Sequence, residues 1–182
     1  MTTADASARV AWAEDAPAIA AVQVRAWRAS YADLLPAEVL AALDADQIAE
    51  GWRHALGRPQ DARNRVLVAL ERNLVTGFLV TGPSSDPDSD PVATGELADL
   101  TVDPPKRGAG HGSRLLQAAA DTLVADRFTH AVTWLPAADD VLRAFLTSAG
   151  WAPDGAHRTL DLMGDGTTTV KQVRLHTALV DP

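Results

Sequence analysis

Seven consecutive residues, Arg107-Gly108-Ala109-Gly110-His111-Gly112-Ser113, carry the most specific chemistry in this sequence. Glycines at alternate positions leave no Cβ atoms over the backbone, so a bulky anion can approach its N–H groups. Leu115, Leu116, Ala119, Leu123 and Val124 follow at helical spacing, which predicts a helix starting where the glycines end. A helix start presents unpaired N–H groups and the positive end of the dipole. Lys106 and Arg107 add cations at the loop entrance. Together these features suit the cradling of phosphate oxygens. A tight strand-to-helix turn without a ligand would use the same glycines and is the alternative on these residues alone.

Other phosphate loops fit worse. A P-loop needs Lys followed by Ser or Thr after its last glycine, whereas Ser113-Arg114 stands here. The dinucleotide fingerprint has the spacing G-x-G-x-x-G, whereas Gly108, Gly110 and Gly112 run G-x-G-x-G. Two carboxylates, Glu96 and Asp99, lie on the run that leads into the loop. Strand alternation places Glu96, Ala98, Leu100 and Val102 on one face and Leu97, Asp99 and Thr101 on the other. Only one acid then faces a given side unless a bulge intervenes. Either could equally be a solvated or capping carboxylate.

The pattern Arg107-x-x-Gly110-x-Gly112, preceded by Leu100-x-Val102-x-Pro104 and followed by Ser113-x-Leu115-Leu116, resembles the GNAT superfamily of acyl-CoA-dependent N-acyltransferases. The resemblance extends over nearly the whole chain. It implies that Arg107, Gly108, Ala109, Gly110, His111, Gly112 and Ser113 bind the pyrophosphate of acetyl-CoA. It also implies that the backbone of Leu100, Thr101 and Val102 pairs with the pantetheine arm and the acetyl carbonyl. The fold it implies is a mixed α/β (α+β) one, a mostly antiparallel sheet of six to seven strands flanked by about four helices. That sheet is expected to splay between strands 4 and 5, with the cofactor in the gap.

Amine acetylation needs the acetyl group held near the amine, a donor for the developing oxyanion and removal of one proton. The expected donor is the N–H of Val102 or Leu100. A lysine-like amine is almost fully protonated at neutral pH, so a base is required. Glu96 is the candidate, directly or through water, Asp99 competes with it, and a reaction without a carboxylate base is the third possibility. The helix before the final hairpin departs from the family pattern. Asp139 stands where an asparagine is usual at the cofactor, and Leu146 stands where a tyrosine would protonate the departing thiolate. Either water protonates the thiolate, or the chain is an acyl-CoA-binding or regulatory module with little turnover. Arg143 is a candidate for the 3′-phosphate, or a solvated arginine. The backbone of His111 is its expected contact with the ligand, and its ring is expected to be simply exposed. Trp27, Tyr31, Trp134 and Trp151 line an acceptor pocket or pack in the core.

The elements that must position these groups are read from periodicity. A first strand is expected over 9–13, a helix from an Asp15 cap to about Ser30, and a second helical stretch from Ala37 in two pieces around Leu43-Asp44. Strands are expected over 65–71, 74–81, 96–102, 130–135, 158–163 and 170–177, and a helix over 139–148 with Gly150 ending it. Residues 82–95, rich in Pro, Ser and Asp, are expected to form a mobile loop inside a single domain of 1–182.

Composition narrows the partners. The 182 residues include no cysteine, which excludes disulfides, thiolate metal sites and an acyl-cysteine intermediate. The five histidines have no metal-ligand spacing, so no metal is expected. A net charge of −8 disfavours nucleic acid and suits a cationic partner, a small-molecule or peptide amine. No apolar run reaches membrane-spanning length, and the first residues lack the apolar centre of a signal peptide. A cytoplasmic protein, independent of membranes, is the expectation. A homodimer is possible but no interface is specified.

Overall fold

The computed structural model describes residues 5–179. Its strands are β1 (Ala6–Val10), β2 (Arg65–Glu71), β3 (Leu74–Pro83), β4 (Thr94–Val102), β5 (His130–Pro136), β6 (Ala152–Asp161) and β7 (Thr169–Ala178). Its α-helices are α1 (Ala16–Ser30), α2 (Ala37–Ala41), α3 (Ala45–Gly57), α4 (His111–Ala125) and α5 (Asp140–Ser148). The strands hydrogen-bond in the order β1-β2-β3-β4-β5-β7-β6. β1–β2, β2–β3, β5–β7 and β6–β7 are antiparallel, whereas β4 and β5 are parallel. Parallel neighbours require a crossover, and α4 supplies it. Among the described residues the β4–β5 ladder runs only from Thr94↔His130 to Leu97↔Thr133, although β4 continues to Val102. The mixed, mostly antiparallel fold is therefore the one expected.

The described residues form two compact units, one of 5–82 with 99–122 and the other of 83–98 with 123–179. In the first, Ile19 and Val22 of α1 join Ala11, Val68, Leu70 and Phe78 in one buried cluster. Trp52 of α3 packs edge-on against Phe78, centroids 5.3 Å apart, and its indole N–H donates to Gln23 Oε1 at 2.7 Å. The cluster thus keeps a polar atom satisfied while burying the ring. Asp44 caps α3 by accepting from the N–H groups of Asp46 and Gln47, which splits the second helical stretch where expected. Asp15 precedes α1 as expected but makes no cap bond. Its carboxylate instead takes both arms of Arg9 and the Trp12 N–H. The first strand starts at Ala6, before the expected Arg9, because pairing with β2 rather than side-chain pattern defines it.

β2 and β3 turn on Arg72-Asn73, both left-handed at φ 49° and 65°. Two successive positive φ values match the right-handed twist of a hairpin, so a non-ideal dipeptide takes the ideal turn. β3 then passes very close to β4. A Cβ on Gly77 would lie 2.7 Å from the Thr101 carbonyl oxygen.

In the second unit, Leu97, Leu123, Phe128, Leu135, Leu146 and Leu175 are buried. Gly95 makes room for Leu123 and Phe128, whose side chains would sit 2.6 and 3.2 Å from an added Cβ. β6 begins at Ala152, six positions before the expected Arg158, through a register irregularity between Pro153 and His157. The irregularity accommodates Pro153 and Gly155, residue types that weaken a strand interior. In the 82–95 tract Ser84 and Asp86 are buried, with Asp86 bonded to Trp134 and Arg174. Its anchors are charges, which a reading from apolar area does not register.

Because the Thr101 carbonyl is backbone and cannot swing aside, Gly77→Ala should lower the unfolding free energy by about 2 kcal/mol or more. Urea denaturation checks this, and an unchanged midpoint would mean that β3 and β4 are not held this closely.

Candidate functional site

Asp103 closes β4 and fixes where the loop begins. Its N–H donates to Thr76 O at 2.8 Å. Its carboxylate, buried, receives Nε and Nη2 of Arg25 at 2.9 and 2.7 Å. A single 3-10 turn, Pro104–Lys106, follows. The Lys106 ammonium pairs with Glu71 at the end of β2, so this cation serves the scaffold rather than the loop. Arg107 is exposed, its Nε turned back to Val102 O at 3.3 Å.

Gly108 and Gly110 are left-handed, at φ 78° and 83°, and with Arg107 extended at ψ 152° the chain makes a tight turn at Arg107-Gly108. The first helical amide to reach a carbonyl is that of Arg114, to Gly110 O at 3.1 Å. The turn directs the Ala109 N–H toward Lys106, and among the described residues no other close backbone acceptor meets the amides of 108–113. Residues 107–110 and Ser113 are solvent-exposed, Gly112 is half-buried and His111 is buried, so the loop's outer amides are open to an anion. Arg114, which sequence reasoning passed over, bends back so that Nη1 donates to Ala109 O at 3.2 Å. A Cβ on Gly110 would come within 3.1 Å of that nitrogen. Gly110 therefore serves both the backbone turn and the seating of a second cation. Its position four residues ahead of Arg114, one turn along the helix, was the available signal.

The His111 ring departs from the expectation that it is exposed. It is only 2% exposed, and neither ring nitrogen has a hydrogen-bond partner. Burial pushes its pKa down; the Glu71 carboxylate opposes this, while Arg114 and Lys106 add to it. The ring faces inward and neutral, leaving the backbone of this residue for the loop.

The two acids differ in setting. Asp99 is left-handed at φ 54°, which breaks the alternation of β4. The intervening irregularity removes the argument that Glu96 and Asp99 must face opposite sides. Asp99 presents surface to solvent, yet protein crowds its other sides, and that desolvation raises its pKa. Its negative charge, after burial, also raises the Tyr31 hydroxyl. Tyr31 meets Trp27 edge-on, centroids 6.4 Å apart, at the C-terminal end of α1. Asp99, Leu100, Thr101, Val102 and the loop thus follow one another through a single strand–turn–helix segment of the first unit.

Glu96 lies in the other unit and is half-buried. Its Oε2 accepts the Ser85 N–H at 3.4 Å. Burial raises its pKa, the Asp86 charge raises it further, and the Ser85 hydrogen bond and Arg158 partly offset this. Asp139 caps α5 by accepting the Leu142 N–H at 2.9 Å, so its carboxylate is engaged by the helix. Arg143 donates to Ala137 O and lies 3.7 Å from Asp140. Leu146 is 2% exposed and Trp151 is 5% exposed, placing both in the core. Trp134 is held by Asp86 and stacks under Arg158, its centroid 4.2 Å from the guanidinium.

Residues 24–151 match the model of the acetyltransferase (GNAT) family. No curated protein matches the chain. Among solved structures, an N-acetyltransferase from Staphylococcus aureus Mu50 is 19% identical, covers 97% of this chain and 100% of its own, and superposes with a TM-score of 0.74. YncA from Salmonella typhimurium, solved with its cofactor acetyl-CoA, is 18% identical over 98% of this chain and 96% of its own, TM-score 0.71. PaiA N-acetyltransferase from Thermoplasma acidophilum, in complex with coenzyme A, is 15% identical over 92% and 97%, TM-score 0.66. At such identities the likeness establishes the fold. Among the described residues no helix is long and apolar enough to cross a membrane.

The two orphaned nitrogens of His111 carry a stability cost with a pH sign. An unfolded imidazole gains its proton as pH falls through about 6.5, while the buried one resists. The unfolded state then holds more protons, so stability is full above that pH and declines as pH drops toward the folded-state value. His111→Leu should add about 1–2 kcal/mol of unfolding free energy near neutrality, with the gain widening at about pH 5.5. Denaturation at both pH values measures it; a gain that shrinks at the lower pH would contradict a neutral buried ring.

Proposed function

The chain belongs to the acetyltransferase (GNAT) family, and on that premise we propose that it is an N-acetyltransferase moving an acetyl group from acetyl-CoA directly to a primary amine. The observation that carries this reading is the set of open outer amides within 108–113, which suits a diphosphate. Arg107 places an exposed guanidinium beside them, and Arg114 sits on the inner side. Acetyl-CoA supplies an activated acyl thioester when bound; the protein contributes grip, orientation and proton removal. The main chain of Leu100, Thr101 and Val102 borders the acetyl end, the N–H of Val102 or Leu100 meeting the negative charge that develops there.

Glu96 takes the proton of the incoming ammonium, directly or through one water. A carboxylate whose pKa burial has raised is a better-matched base near neutrality than an exposed one. Asp99 is the competing base, and the aromatic pair Trp27–Tyr31 near it is a wall for the acceptor. An acyl-cysteine intermediate is not available, since the chain has no cysteine.

Two observations favour a second reading, an acyl-CoA-binding module with little turnover: Leu146 is buried and has no proton to give, and Asp139 is occupied as a cap. Following free thiol while the protein is mixed with acetyl-CoA and a panel of amines separates the two. Amine-dependent thiol release supports the enzyme, whereas thermal stabilisation by coenzyme A with no thiol release supports the module.

Arg107→Ala should weaken coenzyme A by about tenfold or more and pantetheine, which lacks the pyrophosphate, hardly at all. Calorimetric titration of both ligands reads this directly, and equal losses would remove the arginine from its assigned role. Glu96→Gln should reduce kcat/KM about a hundredfold, with Asp99→Asn reduced less; the reverse order would transfer the base to Asp99.

A further inference from the structure

Arg174 of β7 is a nearly saturated hub. Its side chain is only 10% exposed. Its Nε donates to Asp154 Oδ2 at 2.7 Å, and Nη1 and Nη2 grip both oxygens of Asp88 at 2.7 Å each. Nη1 also donates to Asp86 Oδ2 at 3.0 Å. Asp86 in turn accepts the Trp134 indole N–H at 2.9 Å. Two of these three carboxylates belong to the short segment 84–88. That segment has one further polar contact with a bearing on chemistry, the Ser85 N–H on Glu96 Oε2.

One buried guanidinium therefore fixes the residues immediately after the one that bonds Glu96, and neutralises the carboxylate next to it. An arginine suits this task because its planar fork can satisfy several carboxylates in a fixed geometry, which a lysine cannot. We propose that Arg174 is a positioning residue for Glu96, holding Ser85 and Asp86 in place so that the carboxylate keeps its N–H donor and is shielded from an unpaired neighbouring charge. Its catalytic consequence rests on the reading of Glu96 as the base. Without Arg174, Asp86 would keep only Arg158, 3.9 Å away, and the Trp134 indole N–H as partners, so less of its charge would be offset beside Glu96 and the protonated form of Glu96 would persist to higher pH.

The test reads Glu96 itself as well as turnover. Protein labelled with 13C at glutamate carboxyls is titrated by NMR, with the Glu96 signal identified by its absence in Glu96→Gln. In Arg174→Met the Glu96 midpoint is expected to move to higher pH, and in the double variant Arg174→Met/Asp86→Asn to return toward the parent value. Arg174→Lys should rescue only in part. A folded Arg174→Met with an unmoved midpoint overturns the proposal. Should Arg174→Met fail to fold, Arg174→Lys replaces it, because a lysine keeps the charge and loses the fork that holds both Asp86 and Asp88. Its Glu96 midpoint should rise by less than in the methionine variant; no movement again overturns the proposal. The acid limb of kcat/KM against pH, measured on one amine, is expected to follow the midpoint, with kcat/KM near neutrality down about tenfold in Arg174→Met. A midpoint that moves while the limb stays fixed leaves the Arg174 link intact and removes Glu96 as the base.

Discussion

A backbone N–H that finds no carbonyl inside the protein must be met by water or by a ligand. Residues 108–113 place several such groups together, and much of the first unit holds them there. Arg25 clamps Asp103 where β4 ends, Lys106 and Glu71 tie the following turn to β2, and Gly77 lets β3 lie tight against Thr101. These contacts fix the start of the loop, and the left-handed glycines let it turn into α4. A cradle of dipoles binds well only if it needs no rearrangement on binding, so this rigidity is part of its chemistry.

The second unit solves a different problem with different means. Its apolar residues, Phe128, Leu135, Leu146 and Leu175 among them, fill an ordinary core. The long acidic tract before β4 brings almost no apolar area and is tied instead by Asp86 and Asp88. Buried ion pairs of this sort are weak evidence of stability, because desolvation offsets attraction, but they define geometry sharply. Trp134, with Asp86 on its indole nitrogen and Arg158 above its face, is fixed by the same network.

The sequence made the loop legible because its signal is local. Glycines, a cation and a helical repeat lie within twenty or so positions, and steric rules alone tell how they turn. The strands at 65–71 and 130–136 were equally plain, since β-branched apolar runs bounded by turns are also local statements. What was hidden depends on distant partners. Lys106 with Glu71 are 35 positions apart, Arg25 with Asp103 are 78 apart, and Arg174 with Asp86 are 88 apart. No periodicity encodes such pairs. The left-handed Asp99 was hidden for another reason: aspartate tolerates that conformation, but nothing beside it in a strand-like run marks the place. His111 misled by its company, since a ring between glycines suggests solvent, whereas helix geometry turned it into the core.

The Arg174 hub also has a consequence in time. Ribosomes deliver the chain from its amino terminus, so Asp86, Asp88 and Asp154 emerge as bare, mutually repelling carboxylates well before their common partner is made. Only when β7, the last of the described strands, slides into the sheet between β5 and β6 does Arg174 join Arg158 in meeting those charges. The surroundings of Glu96 are therefore assembled last, and a nascent chain that already carries the whole anion loop would still lack them.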